Sequence, residues 1–485
     1  MHRGEGCPNP TSPRCRGGAF VDPPLATFAT EVTTIPRDLV ENSTPFAAGH
    51  YSWALVLGDV NADGRADIVV GELFDPSDDQ PISIREMRRN PPPPGRLRVH
   101  LNKPHGFDDR PDWESSEATF VGALEVADMN GDGLLDLVAG SWPPRIYFGR
   151  RGDAGVALEH TASWVGTAPA QPSADTAVRE FALGLDVGWW VAPASCAPVA
   201  AEGSPAPLIA VATGCVFGHG TDAGCEGRFS LFDWRAGGEP IWRSQWRGSG
   251  NDIAIADVDG DGLGDLVTTA WSEQPALGGA HNHPGRLRVL GGLPGPVPTF
   301  DEARYASATT LIGQQLVVSD LRGERTNAAR CSIPADTNPD GTTFMLSAHN
   351  LEAITAVDVV APDGRVGRLT HTDYFTSTGS NVFTLKAPRP PGSSLNVHYD
   401  RSDRPSVAVA GLEVCDEACR GLGGAQPDDE PSAHPCAAPG PRKGAVLYFE
   451  NTRAAGEGLR CGARPGTPMS PTAPDVPMNP EGERP

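Results

Sequence analysis

Lysine is nearly missing from this chain. It occurs only at Lys103, Lys386 and Lys443, and arginine supplies the other basic side chains. Acids outnumber bases by 61 to 39, for a formal charge of −22. That balance disfavours nucleic acid and anionic membrane as partners, because both need a basic face. No run of about 18 apolar residues occurs, so no membrane insertion is expected. The opening stretch MHRGEGCPNPTSPRCRGG lacks the apolar centre of a secretory leader, so export would need a signal that this sequence does not show. No C-x-x-C pair has the matching Cys or His spacing of a zinc site. G-x-S-x-G, H-E-x-x-H, P-loop and dinucleotide fingerprints are all missing, which removes the usual pointers to an enzyme. Aromatic residues make up only 7%.

Turn formers are plentiful instead, with 57 glycines and 48 prolines, a balance that suits an all-β chain rich in turns. Against that background a nine-residue stretch occurs three times: DVNADGRAD at 59–67, DMNGDGLLD at 128–136 and DVDGDGLGD at 257–265. Positions 1, 3, 5 and 9 offer side-chain oxygens. They are Asp59, Asn61, Asp63 and Asp67; Asp128, Asn130, Asp132 and Asp136; and Asp257, Asp259, Asp261 and Asp265. Glycine follows position 5 each time, and a carbonyl at position 7 (Arg65, Leu134, Leu263) would complete a cage. Hard oxygen ligands at alternate positions with a glycine for the sharp turn are what Ca²⁺ requires. Acids packed this closely repel one another unless a cation lies between them. An acidic surface turn is the plain alternative, and the threefold recurrence argues against it. About three Ca²⁺ sites are expected.

The flanks exclude an EF-hand. Position 12 is Val70, Ala139 or Thr268, where that motif needs a bidentate Glu. SWALVLGD, GALEVAD and DIAIAD enter the loops, and DIVVGE, DLVAGS and DLVTTA leave them. Such β-branched apolar runs read as strands buried on both faces, with the metal at the hairpin tip. A further strand follows: GRLRVHLN, RIYFGR, GRFSLFDW, GRLRVLGG and GAVLYFEN.

Second strands begin near residues 67, 136, 207, 265 and 406. A period of about 60–70 residues built from four short strands predicts a β-propeller blade. Six blades are favoured, near 51–110, 121–165, 181–240, 252–305, 313–395 and 397–451, with five to seven open. Asp186, Asp320, Asp400 and Asp403 are read as remnants of loops that have lost the metal. The strand at 28–35 would supply the last blade's outer strand and close the ring. Alternatively, the irregular region at about 321–397 is an inserted β-sandwich, which leaves five blades. Residues 1–24 read as a disordered or disulfide-tied segment, 25–452 as the propeller and 453–485 as a Pro/Gly-rich disordered tail.

The loop motif followed by a GRLRVxLN-like strand resembles the FG-GAP/VCBS repeat of integrin-α-type propellers. That resemblance implies a secreted or surface-exposed, calcium-stiffened propeller whose loops bind protein or carbohydrate. It also implies a runner-up, since members occur in polysaccharide-degrading enzymes: a carbohydrate-active lyase or hydrolase working at one mouth of the ring. The leading reading is a non-catalytic, calcium-stabilised binding or adhesion scaffold. It is expected to be monomeric and to lie outside the cell or in the periplasm.

Other signals are weaker. The ten cysteines favour loop-stapling disulfides, with Cys7–Cys15 and Cys215–Cys225 as local candidates, although buried thiols stay open. The Arg151-Gly152-Asp153 tripeptide recurs by chance in many proteins. His281, His283, His371 and Asp373 read as solvated loop polars sooner than as an acid–base site. Trp189, Trp190, Trp242 and Trp246 suit packing better than a sugar platform.

Overall fold

The structure, a computed structural model, describes residues 20–21, 51–74, 94–108, 110–152, 155–167, 180–191, 206–215, 227–273, 283–307, 310–321, 326–337, 342–376, 381–402, 405–415 and 445–451. Among them there are strands and no helix. Five antiparallel sheets follow one plan, in which three strands run in chain order and a fourth closes the outer edge. The first contains β2 (Tyr51–Gly58), β3 (Asp67–Phe74), β4 (Leu97–His100) and β5 (Trp113–Glu114). The second contains β6 (Ala123–Ala127), β7 (Asp136–Gly140), β8 (Arg145–Tyr147) and β11 (Trp164–Val165). The hairpin β9 (Gly149–Gly152) and β10 (Gly155–Leu158) interrupts it. The third contains β12 (Glu180–Gly188), β13 (Leu208–Cys215), β14 (Phe229–Phe232) and β15 (Trp242–Arg243). The fourth contains β16 (Gly248–Ala256), β17 (Asp265–Glu273), β19 (Arg288–Leu293) and β20 (Thr299–Ala306), with β18 (His283–Pro284) beside β17.

The fifth sheet is assembled from distant parts of the chain. Its inner strand β21 (Thr310–Ser319) pairs with β29 (Ser406–Cys415), then β30 (Ala445–Asn451), then β1 (Phe20–Val21). The outer strand thus comes from within the segment expected to be disordered or disulfide-tied, through the pairs Phe20↔Asn451 and Val21↔Glu450. Residues 28–35, expected in that role, lie outside the described residues.

Between β21 and β29 the chain builds a separate unit. One of its sheets orders β22 (Thr326–Ile333), β28 (Ser394–Ser402), β24 (Leu351–Val360) and β25 (Val366–Arg368). The other orders β23 (Thr343–Met345), β27 (Val382–Leu385) and β26 (Tyr374–Thr376). They enclose a core of their own around Ile333, Phe344, Leu346, Val357, Phe383, Leu385, Leu395 and Val397. Five sheets of the repeat plan are therefore present, where six units were favoured. The irregular sixth is this insertion, because its strands pair among themselves and not with a neighbouring repeat.

Why the sheets stack follows from their second strands. Asp136–Gly140 is buried at every residue. In β13, Ile209 and Val211 join the core shared by the first three sheets, whereas Leu208, Ala210 and Ala212 join the core shared with the fourth. Val267 and Leu266 of β17 divide in the same way between two cores. Alternate residues point to opposite faces, so a strand apolar at every position must be covered on both sides. Each fully buried Val or Leu contributes roughly 1.5–3 kcal/mol. The inner strands pack in the order β2, β6, β12, β16, β21.

Candidate metal centre

Each acidic stretch joins an inner strand to its second strand, as its flanks predict. The register fixes position 9 at the first residue of the second strand: Asp67 faces Gly58, Asp136 faces Ala127 and Asp265 faces Ala256. From there the three loops repeat one hydrogen-bond pattern. The position-1 carboxylate accepts from the loop's own backbone. Asp63 N donates to Asp59 Oδ1 at 2.9 Å and Gly64 N to Oδ2 at 2.7 Å. Gly131 N and Gly133 N donate to the two oxygens of Asp128 at 2.7 and 2.9 Å. Asp261 N and Gly262 N donate to Asp257, both at 3.0 Å. The oxygen of Asn61, Asn130 or Asp259 accepts the position-5 amide at 3.1, 2.9 and 3.1 Å. Asp63, Asp132 and Asp261 accept the amides of Arg65, Leu134 and Leu263 at 3.0, 2.9 and 2.9 Å.

Position 9 ties the loop to the sheet. Asp67 Oδ2 accepts Val60 N at 3.0 Å and Oδ1 accepts Asn102 N at 2.9 Å. Asp136 accepts Met129 N at 2.7 Å and Gly149 N at 2.9 Å. Asp265 accepts Val258 N at 2.9 Å and Gly292 N at 2.8 Å. The second acceptance in each pair comes from the end of the third strand or just beyond it, so one carboxylate ties its loop and second strand to the third.

The glycines after position 5 adopt left-handed φ of 82°, 78° and 87° at Gly64, Gly133 and Gly262. Position 4 needs the same conformation, which the sequence reading missed. Gly131 and Gly260 supply it at φ 76° and 71°, and Ala62 adopts it at 57°. The glycines of the second and third copies were the signal.

Burial then sets the electrostatics. It pushes Asp59 up to about 6, with the Asp63 charge adding to the rise. Asp67 is pushed up to about 7 and Asp128 to about 8, again by burial first and nearby carboxylates after it. Asp257 rises to about 7 by burial and the Asp259 charge. Asp136 and Asp265 rise well above the carboxylate range for the same two reasons. In the third loop the carboxylate atoms of Asp257, Asp259 and Asp265 lie within 4.8 Å of one another. Arg304 also reaches this cluster and pairs with Asp259. The first loop has a comparable partner, Arg65 Nη2 at 2.5 Å from Asp63 Oδ2. Neither pairing was legible from loop spacing.

Asp186 is not a loop remnant. The register Gly188↔Leu208 puts Trp189 at position 1, three residues later. Asp186 instead accepts Ile255 N of the next sheet's inner strand at 2.6 Å and Val187 N at 2.8 Å. Asp252 repeats this one sheet on, accepting Leu316 N at 2.8 Å and Ile253 N at 2.9 Å. Burial raises them to about 6 and about 7, and it raises Glu125 strongly, with Asp186 and Asp252 adding to it. Both aspartates spend their oxygens on strand-edge N–H groups. Asp320 does occupy position 1 of the fifth sheet, since Ser319 faces Ser406. The insertion stands where its loop would be, and Asp403 lies outside the described residues.

The remaining candidates divide simply. Trp189 is buried, Trp246 stacks on Phe229 at 4.4 Å and Trp242 meets Phe300 edge-on at 4.7 Å, so these rings pack the sheets. Asp373 caps a turn through Thr370 N at 2.7 Å. Arg151 and Gly152 lie in β9, while Asp153 and His281 lie outside the described residues. So do the side chains of Cys7, Cys15, Cys215 and Cys225. No described helix is long and apolar enough to cross a membrane.

No protein-family model matches this sequence, and no curated protein sequence does. Among solved structures the chain is similar to the V. cholerae biofilm matrix protein Bap1, at 12% identity and a TM-score of 0.30, over 82% of this chain and 74% of that one. It is also similar to BBS1N in complex with ARL6DN, at 12% identity and a TM-score of 0.28, over 79% of this chain and 97% of that one.

Proposed function

We propose that this chain is a five-bladed, calcium-stabilised β-propeller of the FG-GAP/VCBS kind, acting outside the cell as a non-catalytic adhesion scaffold for protein or carbohydrate. The observation that carries the reading is one carboxylate frame, buried at position 9 and partly buried elsewhere, built into three hairpins. Burial of so many acids beside one another is unfavourable unless a cation offsets it. The donor set is carboxylate and amide oxygen, which suits a hard dication. Asp59, Asn61, Asp63, Asp67 and the carbonyl of Arg65 would hold one ion. Asp128, Asn130, Asp132, Asp136 and the Leu134 carbonyl would hold a second. Asp257, Asp259, Asp261, Asp265 and the Leu263 carbonyl would hold a third. The ion supplies charge compensation and orders the hairpin.

Ring closure is the second part of the proposal. Trp53, Leu55 and Leu57 of β2 are 47%, 63% and 39% exposed, and Val317 of β21 is 55% exposed. These are the inner strands of the first and last sheets of the stack. Bringing them together would bury both strips and leave no free end.

Isothermal titration with Ca²⁺ on the chelated full chain tests the metal. About three sites, with Kd near 10⁻⁴–10⁻³ M as in extracellular modules, are expected. No heat of binding at millimolar Ca²⁺ would end the reading.

A further inference from the structure

The inserted unit does not hang free from the fifth sheet. It lies against all three acidic loops. At the first loop, the Lys386 side chain packs over Gly64, where a built Cβ would come within 2.6 Å of Lys386 Cγ. At the second, Thr343 N donates to Gly133 O at 3.1 Å. At the third, Asn350 Nδ2 donates to Asp257 O at 2.7 Å, and a Cβ built on Gly264 would lie 3.2 Å from His349 Cε1. Two of these contacts fall on the same loop position, the left-handed glycine after position 5. Beyond the loops, Met345 and Val382 of the insertion belong to the buried core of the first three sheets, together with Met129 of the second loop. At its base, Glu352 accepts Asp320 N at 2.6 Å and Ser319 Oγ at 2.5 Å.

We infer that the insertion is a clamp whose docking is linked to cation occupancy of the three loops. This rests on the cation reading given above. The surface it grips consists of loop backbone and glycine tips, and a bound ion would fix that backbone. If occupancy favours docking, docking must favour occupancy by the same factor. Asn350 is the sharpest link. It sits at a left-handed φ of 55° and also donates to Ser402 O at 3.2 Å, so one side chain joins the third loop to the paired start of β24 and end of β28. The insertion keeps its own core, so releasing the clamp need not unfold it.

Hydrogen exchange on the full chain, with 5 mM Ca²⁺ or excess chelator, reads this directly. Chelation should speed exchange at 343–350 and 382–386 by about tenfold or more, while β22 and β28 of the insertion's core stay unchanged. Asn350→Ala should weaken that link, lowering cation affinity about fivefold at the third loop and less at the other two. Lys386→Ala should do the same at the first loop to a smaller extent. Cation binding in titration with identical exchange in both states would overturn the clamp and leave the cation reading standing. Absence of cation binding would overturn both. Uniform acceleration that includes β22 and β28 would also overturn the clamp, since it would mean global loosening.

Discussion

The second and third loops share nine positions and one hydrogen-bond pattern, yet they settle their charge differently. The second has Asn130 at position 3, and its Gly133 carbonyl is covered by Thr343 of the insertion. Among the described residues no arginine pairs with Asp128, Asp132 or Asp136. The third has Asp259 at position 3, holds three carboxylates within 4.8 Å and receives Arg304. Its tip is open, with nothing within 4 Å of a Cβ built on Gly262. One backbone frame can therefore carry carboxylates with no arginine beside them or carboxylates partly neutralised by one. An intramolecular guanidinium competes for the oxygens that an ion needs.

Removing the shared frame should have the largest effect. Asp136→Ala deprives the amides of Met129 and Gly149 of their acceptor, and both are buried bonds. Each orphaned N–H costs about 1–3 kcal/mol, so a loss of roughly 2–6 kcal/mol is expected in urea denaturation. Asp265→Ala should match it, because its two bonds are equivalent. A loss under about 0.5 kcal/mol at either site would mean that the frame is not what joins the strands.

Chelation should come next. A site held at ten times its Kd adds about 1.4 kcal/mol of stability, so stripping the ions should lower the melting temperature by several degrees and added Ca²⁺ should restore it. The second loop should account for more of the loss than the third, shown by a smaller chelation effect in Asp132→Asn than in Asp261→Asn.

The pH response separates the metal-free and loaded protein. Asp59, Asp67, Asp128 and Asp257 are raised to about 6, 7, 8 and 7 by burial first. A carboxyl raised on folding contributes stability that is complete below its unfolded pKa near 4 and is lost as pH rises through its folded value. The chelated protein should therefore melt higher at pH 5 than at pH 8. Ions compete with those protons, so the Ca²⁺ increment should be greatest at pH 8 and shrink toward pH 5. A chelated melt that falls steadily from pH 8 to pH 6 would contradict this assignment.

Arg304→Gln tests the contrast between loops. Without the guanidinium at Asp259, the third loop should bind Ca²⁺ severalfold more tightly, while the second loop stays unchanged. Equal affinities before and after would show that Arg304 does not share the site.

Much of this architecture was legible because it depends on local periodicity. DLVAG predicts a strand buried on both faces, and β7 is one. The loop spacing placed Asp59, Asp128 and Asp257 beside their position-9 partners because the hairpin register is set within nine residues. What failed was long-range. Phe20–Val21 reaches the fifth sheet across the whole chain, and two residues carry no periodic signal. The insertion stands in place of a loop while β21 and β29 still pair, so counting intervals favoured a sixth repeat and left the inserted β-sandwich as the alternative. Asp186 looked like a remnant because spacing alone cannot distinguish position 1 from a strand edge. Arg304 approaches from an outer strand, and nothing local to the loop announces it.

The smallest expected effect lies in the first loop, which differs from both others at position 4. Ala62 holds a left-handed φ of 57°, where the second and third loops have glycine. A non-glycine residue there costs about 1–2 kcal/mol of local strain. Part of the relief on substitution is returned as added entropy of the unfolded chain. Ala62→Gly should thus stabilise by about 0.5–1 kcal/mol in urea denaturation, and should bring the first loop's Ca²⁺ affinity toward that of the second. Because Ala62 N itself donates to Asp59 O at 3.5 Å, a long bond, shortening of that turn in the variant is the structural correlate. Destabilisation by Ala62→Gly would show that the alanine fits its turn without strain, and that the three loops are less alike than their sequences.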